Sequence, residues 1–256
     1  SKTIHVLEKC GDKYSWIKDV KTELPESIAY CGTTTTDLGV VYVGGENENG
    51  LSNKSYILKW NAAKKEVEIK SLPNFPFAIA NIALTQIDNV VYALGGDEAT
   101  KSSDYFASLD LNDTNSEWKT LQKLPLALAN AVVIAQKGKN GIGIYVVGGR
   151  TKTASGISDL HHTTFVFDVK TQQWKNAAAI SDGKNTTNFS AGAGVAVGKH
   201  SIVIVGGDNG AIFHQIETYL SQIAQAESPE QKTELIAKKN KLVTNHPGFY
   251  SGILLY

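Results

Sequence analysis

The sequence predicts an all-β fold of the β-propeller kind, and three observations carry that expectation. An apolar run enters a pair of glycines four times, as VVYVGG (40–45), VVYALGG (90–96), IYVVGG (144–149) and IVIVGG (202–207). Every copy is preceded by a strand of small residues and followed by a polar loop and an aromatic-rich strand. Three units then end on Leu-Pro, at 24–25, 72–73 and 124–125. A spacing of about 50 to 60 residues is that of a repeat architecture in which each unit buries its faces against its neighbours.

The elements follow from this grammar in order. The small-residue segments AYCGTTTT (29–36), ANIALTQI (80–87), ANAVVIAQ (129–136) and SAGAGVAV (190–197) can pack near a crowded axis and are expected to be the innermost strands. The runs ending in Gly-Gly are the second strands, and the glycines let the backbone turn at positive φ where a side chain would collide. Third strands are SYILKW (55–60), YFASLDL (105–111), TTFVFDV (163–169) and GILLY (252–256), and outer strands lie in 112–121 and 169–177. Proline has no N–H for a ladder, so Leu-Pro marks the handover to the next unit. One repeat is one four-stranded sheet, and sheets of this kind bury their faces by packing around a channel. The expected organisation is one propeller domain over 1–256, with blade parts at 3–20, 29–72, 80–122, 129–179 and 190–256. Because the chain opens on TIHVLE (3–8) and YSWIKDV (14–20) and stops on a third strand, it is expected to be part of a longer one.

Composition agrees. With 256 residues and a formal net charge of zero, the chain can bury a sizeable core and has no electrostatic reason to seek nucleic acid or an anionic membrane. No apolar run is long enough to span a bilayer. Cys10 and Cys31 are too few for a disulfide framework. His161, His162, His200, His214 and His246 lack metal-ligand spacing, so neither a metal nor a cofactor is expected.

One segment departs from the grammar. Between Gly207 and the last strand, Ile212, Ile216, Tyr219, Leu220 and Ile223 follow helical spacing. A second helix opens with Ser228 as N-cap, Pro229 in the first turn and Gln231 completing a capping-box pattern. A helical hairpin over about 212–245 is expected, and long loop insertions of this kind commonly serve as lids or binding elements.

The residues resemble a known repeat. The Gly doublets, the tyrosines before them and the downstream Trp118 and Trp174 are similar to the kelch repeat, which implies about six blades when complete. GGDNGAIF (206–213) leading through a helical pair to GILLY (252–256) resembles the sialic acid (N-acetylneuraminate) mutarotase/epimerase family, in a cyclically permuted form. The segments 4–16, 44–58 and 148–168 resemble it too. The resemblance implies interconversion of the α and β anomers of N-acetylneuraminate by general acid-base chemistry, with no cofactor, in a periplasmic or exported bacterial protein, a cytoplasmic location remaining open. It also implies that the catalytic carboxylate lies in a GE-x-x-P-G-x-R loop. The nearest string, Gly45-Glu46-Asn47-Glu48-Asn49-Gly50-Leu51, lacks that proline and arginine, so Glu46 reads as a blade relative of the catalytic residue and the true loop is expected beyond Tyr256.

For binding, Arg150 stands out as the only arginine, directly after a Gly pair. A guanidinium fork suits a sugar carboxylate better than a lysine, although an arginine here can equally pair with an acid of a neighbouring blade. As a substrate ligand alone, Arg150 is expected to be removable at little cost in stability. Asn47, Asp97, Asp208 and Asn209 hold the same or adjacent post-glycine positions and could bind hydroxyls or simply cap turns. Asn81, Asn130 and Asn188 begin or precede inner strands, and His214 sits in the insertion beside Phe213. The alternative function is a non-catalytic kelch propeller that binds a protein or glycan through its loop face, since propellers host many roles.

Overall fold

The computed structural model describes residues 1–138, 141–181, 183–249 and 251–256. The chain forms two compact units, Ser1–Leu94 with Ala107–Thr120, and Gly95–Phe106 with Leu121–Tyr256.

The first unit opens with a hairpin, Leu7–Cys10 paired with Lys13–Trp16. The sequence places the opening strand at 3–8. Instead Thr3 bridges Glu23 and the ladder starts at Leu7, because Gly11 at φ +60° sets the turn. The first blade follows as an antiparallel sheet of Gly32–Thr36, Gly39–Val43, Ser55–Asn61 and Glu66–Leu72, paired in chain order. The second has Ala83–Ile87, Val90–Leu94, Phe106–Asp110 and a short outer strand of Lys119–Thr120. The first strands of the two blades, both sheet edges, lie side by side. Trp118, 9% exposed, packs edge-on against Phe75 at 5.2 Å, and its indole N–H donates to the Pro73 carbonyl at 2.9 Å.

The second unit repeats the plan. Its first blade comprises Val132–Gly138, Gly141–Val147, Thr164–Asp168 and Gln173–Ala177. A three-stranded sheet, Ser190–Val197, Ser201–Asp208 and Ile253–Leu255, lies next to it, again edge strand to edge strand. Val132, Val147, Ile180, Phe189, Ile202 and Ile204 form the core between these sheets. Trp174 meets Phe106 and Phe167 at 5.4 and 5.1 Å and donates to the Gln122 carbonyl, as Trp118 does to Pro73.

Three of the four small-residue strands begin three residues later than the sequence suggests. Tyr30, Asn81 and Asn130 take φ of +57°, +54° and +54°, which ends any ladder at that point. Ala191 has φ +57° inside its strand, where the register is kept from Ser190 opposite Asp208 to Gly192 opposite Gly206 but the intervening pair drops out of the ladder. These positions are used for blade-to-blade bonding: the Asn81 N–H donates to Tyr30 O and the Ala191 N–H to Asn130 O, each at 2.8 Å.

The glycine pairs do more than turn the chain. The second glycine of a pair donates its N–H to the residue at the entrance of the next blade: Gly45 to Ile79 O, Gly96 to Leu128 O and Gly149 to Phe189 O, at 2.7 to 2.8 Å. A Cβ on the first glycine would fall 2.3, 2.2 and 2.2 Å from those same carbonyls. Only glycine permits this approach, so the repeated doublet is the joint between blades.

The insertion is the expected helical hairpin, α1 (Phe213–Gln225) and α2 (Pro229–Thr244). The Ser228 hydroxyl accepts the Gln231 N–H at 3.1 Å, and Gln231 Oε1 reaches back to accept the Glu227 N–H. Neither helix contains a buried residue. No helix among the described residues is long and apolar enough to cross a membrane.

Candidate functional site

Two post-glycine positions of the second unit, Asp97 and Arg150, meet. Ala129 and Arg150 exchange both backbone hydrogen bonds, at 2.8 and 2.9 Å, and this bridge sets Asn130 beside the guanidinium. Arg150 Nε donates to Asn130 Oδ1 at 3.0 Å, Nη2 to Asp97 Oδ2 at 2.5 Å and Nη1 to Ser158 Oγ at 3.4 Å. The arginine and aspartate side chains are 11% and 3% exposed. One N–H on each terminal nitrogen has no hydrogen-bond partner among the described residues.

Around this pair the loop residues close a network. Asp97 bridges Ser102, whose hydroxyl donates to Asp97 Oδ1 at 3.0 Å and accepts the Lys152 N–H at 3.0 Å. Lys152 Nζ donates to the Glu98 carbonyl and lies 3.8 Å from Asp97 Oδ1. Helix α1 closes the other side. Glu217 accepts the Ser158 N–H at 2.8 Å and its hydroxyl at 2.7 Å, and the Phe213 ring stands 5.7 Å from Arg150 Cζ. The cluster gathers two cations, an amide and two hydroxyls beside an aromatic ring.

His161 adds a polarity of its own. The Thr151 hydroxyl donates to Ala127 O at 2.6 Å, so its contact with His161 Nε2 at 2.8 Å has the imidazole N–H as donor. Burial pushes the His161 pKa down, which keeps the ring neutral and leaves Nδ1 as an acceptor.

Asp97, Arg150 and Asn130 are thus brought together, and the alternative of an arginine paired with another blade's acid is realised. That corrects the expectation that Arg150 is removable at little cost in stability: a buried guanidinium answers a buried carboxylate. Asp208 and Asn209 accept the N–H groups of Gly210 and Ala211 in the turn that leads into α1. His214 follows Phe213 on α1, and its Nε2 is buried with no hydrogen-bond partner among the described residues. Asn188 meets His162 at 3.1 Å. Glu46 and Asn47 belong to the first unit, where they form the hairpin Glu46–Asn47 with Gly50–Leu51, and Asn47 donates to Glu26 at 3.1 Å. Glu46 is exposed.

Lys152, Ser158, His161 and Glu217 were not singled out as ligands from the sequence. Lys152 is one lysine among many, and Ser158 meets Glu217 only because α1 returns across 59 residues. A cavity of about 580 Å³ at the edge of the three-stranded sheet has Ala178, Ile180, Ile204, Ile253 and Leu255 in its walls and, among the described residues, no charged side chain.

Comparison with known proteins extends this picture. The model of the N-acetylneuraminate epimerase family matches residues 72–252. Kelch-like protein 41a of Danio rerio is 27% identical over 139 residues, 54% of this chain and 21% of its own length. Kelch-like protein 40a of Danio rerio is 26% identical, over 56% of this chain and 23% of that protein. A kelch repeat and BTB domain-containing protein of cowpox virus is 30% identical over 52% and 22%. The chain therefore spans about a fifth of the length of these relatives, and it is a kelch-repeat propeller.

Proposed function

The chain belongs to the N-acetylneuraminate epimerase family, and from that premise we propose that it is a mutarotase or epimerase of sialic acid. The observation that carries the reading is the Arg150 cluster. A carboxylate ligand can take the two remaining guanidinium N–H groups and draw on Lys152, whose side chain is 35% exposed. Asn130, Ser102 and Ser158 supply further polar atoms for hydroxyls.

Interconversion of anomers needs a base to take the proton of the anomeric hydroxyl while an acid protonates the ring oxygen, so that the ring carbon–oxygen bond breaks. Reclosure on the other face reverses both transfers. Such acid-base assistance is worth about 10² to 10⁴ in rate. Within the second unit, neutral His161 has the protonation state of a general base at neutral pH. The carboxylates of Asp97 and Glu217 are engaged as acceptors and serve to hold the site. A location outside the bacterial cytoplasm, where free sialic acid is met, belongs to the same proposal.

Magnetisation exchange between the anomers of N-acetylneuraminate, measured by NMR with and without protein, tests the reading. Faster exchange supports it; unchanged exchange together with no binding overturns it. Binding without accelerated exchange would favour the second reading, a non-catalytic kelch propeller that binds a protein or glycan through its loop face; the likeness to kelch-like proteins supports the propeller on which that reading rests.

A further inference from the structure

Helix α1 is tied to its unit by a polar clasp as well as by a half-buried apolar face. None of its 13 residues is fully buried and Leu220 is 50% exposed, while Phe213, Ile216, Tyr219 and Ile223 are half-buried. Its polar attachment falls on one loop. Glu217 takes both donors of Ser158, the backbone N–H and the hydroxyl, one on each carboxylate oxygen. Ser158 is itself 3% exposed, and its oxygen is also the acceptor for Arg150 Nη1. The serine hydroxyl has one proton, and Glu217 claims it; the lone pairs of Ser158 Oγ are thereby turned toward the guanidinium. One turn earlier on the same helix, Phe213 stands at the guanidinium.

We propose that Glu217 is a positioning residue for carboxylate recognition. Acting through Ser158, it adds a third anchor to a guanidinium that Asn130 and Asp97 also hold, and by clasping α1 it keeps the Phe213 ring beside the charge. The two free N–H groups of Arg150 are then held in one orientation for a carboxylate ligand. Without the clasp, Ser158 can turn its proton toward Arg150, where donor would face donor, and α1 loses its polar tie to the loop. This rests on the carboxylate-binding reading above and adds the residue that prepares the site.

Two measurements separate the clasp from that reading. Amide hydrogen exchange on the unliganded protein reports the clasp alone: Glu217→Gln should raise exchange at Ser158 and through Phe213–Gln225 by about tenfold, the scale of one hydrogen bond to a charged group. Glu234→Gln, on exposed α2, is the control and should change neither. Titration with N-acetylneuraminate reports positioning: Glu217→Gln and Ser158→Ala should each weaken binding about tenfold, and Ser158→Thr, which keeps the hydroxyl, should restore it. Unchanged exchange in Glu217→Gln overturns the clasp. Raised exchange with unaltered affinity overturns the positioning role. If no form of the protein binds N-acetylneuraminate, the sialic acid reading fails, and with it carboxylate positioning, while the exchange data still decide whether Glu217 clasps α1.

Discussion

Removing either partner of the Asp97–Arg150 pair should be among the most destabilising changes available in the second unit. The side chains are 3% and 11% exposed, so neither charge can turn to water if its partner is lost. Breaking a buried pair in this way costs about 3 to 5 kcal/mol. The two halves are not equal. In Asp97→Ala the guanidinium keeps only the neutral acceptors Asn130 and Ser158, and the full cost of about 4 kcal/mol is expected. In Arg150→Ala, Asp97 keeps the Ser102 hydroxyl, and Lys152, already 3.8 Å away, can move in; about 2 to 3 kcal/mol is expected, the value of charge-assisted hydrogen bonds. The double variant leaves no unpaired charge and should cost well under the sum, by about 2 kcal/mol or more. Urea denaturation of the four proteins measures the cycle. Single variants within 1 kcal/mol of the parent, or strictly additive effects, would refute the claim that this pair is a buried, coupled unit.

Other consequences are as direct. Gly95→Ala would set a Cβ 2.2 Å from Leu128 O at φ +65° and should destabilise by at least about 2 to 3 kcal/mol, from the left-handed backbone and the forced shift together. Gly156→Ala, at φ +79° with nothing within 4 Å, should cost only the backbone part of about 1 kcal/mol, and equal losses of Tm in the two would count against the blade-joint argument. Ser228→Ala removes the α2 cap and should cost that helix about 1 kcal/mol, seen as faster amide exchange in its first turn with the blades unaffected. His161 is held below the ordinary histidine value of 6.5, so the unfolded chain takes up the proton first. Its contribution to stability is therefore complete above pH 6.5 and is lost as pH falls from there through the folded-state value. His161→Gln should flatten the pH dependence of stability between about pH 7 and pH 5, and an identical profile would show that the ring is not the titrating group.

The sequence alone determined the features that depend on local spacing. The Gly doublets, Leu-Pro handovers and small-residue strands marked the blades because each reports a backbone demand within a few residues. Ser228, Pro229 and Gln231 marked α2 for the same reason, since capping joins residues three apart. Local signals also misplaced the starts of three inner strands, because left-handed Tyr30, Asn81 and Asn130 are held by bonds to other blades and have side chains that do not announce it. The site was legible only as a set of positions. Arg150 was visible as the single arginine after a Gly pair, but its partner Asp97 is 53 residues away, and Glu217 lies 59 residues beyond Ser158. Which acid answers the arginine, which serine carries the bond onward and which face of α1 looks at the loop depend on how blades and insertion dock. Only the tertiary structure decided these, because burial, which turns an ordinary ion pair into a coupled one, is a property of the packed neighbours and not of the residues that pair.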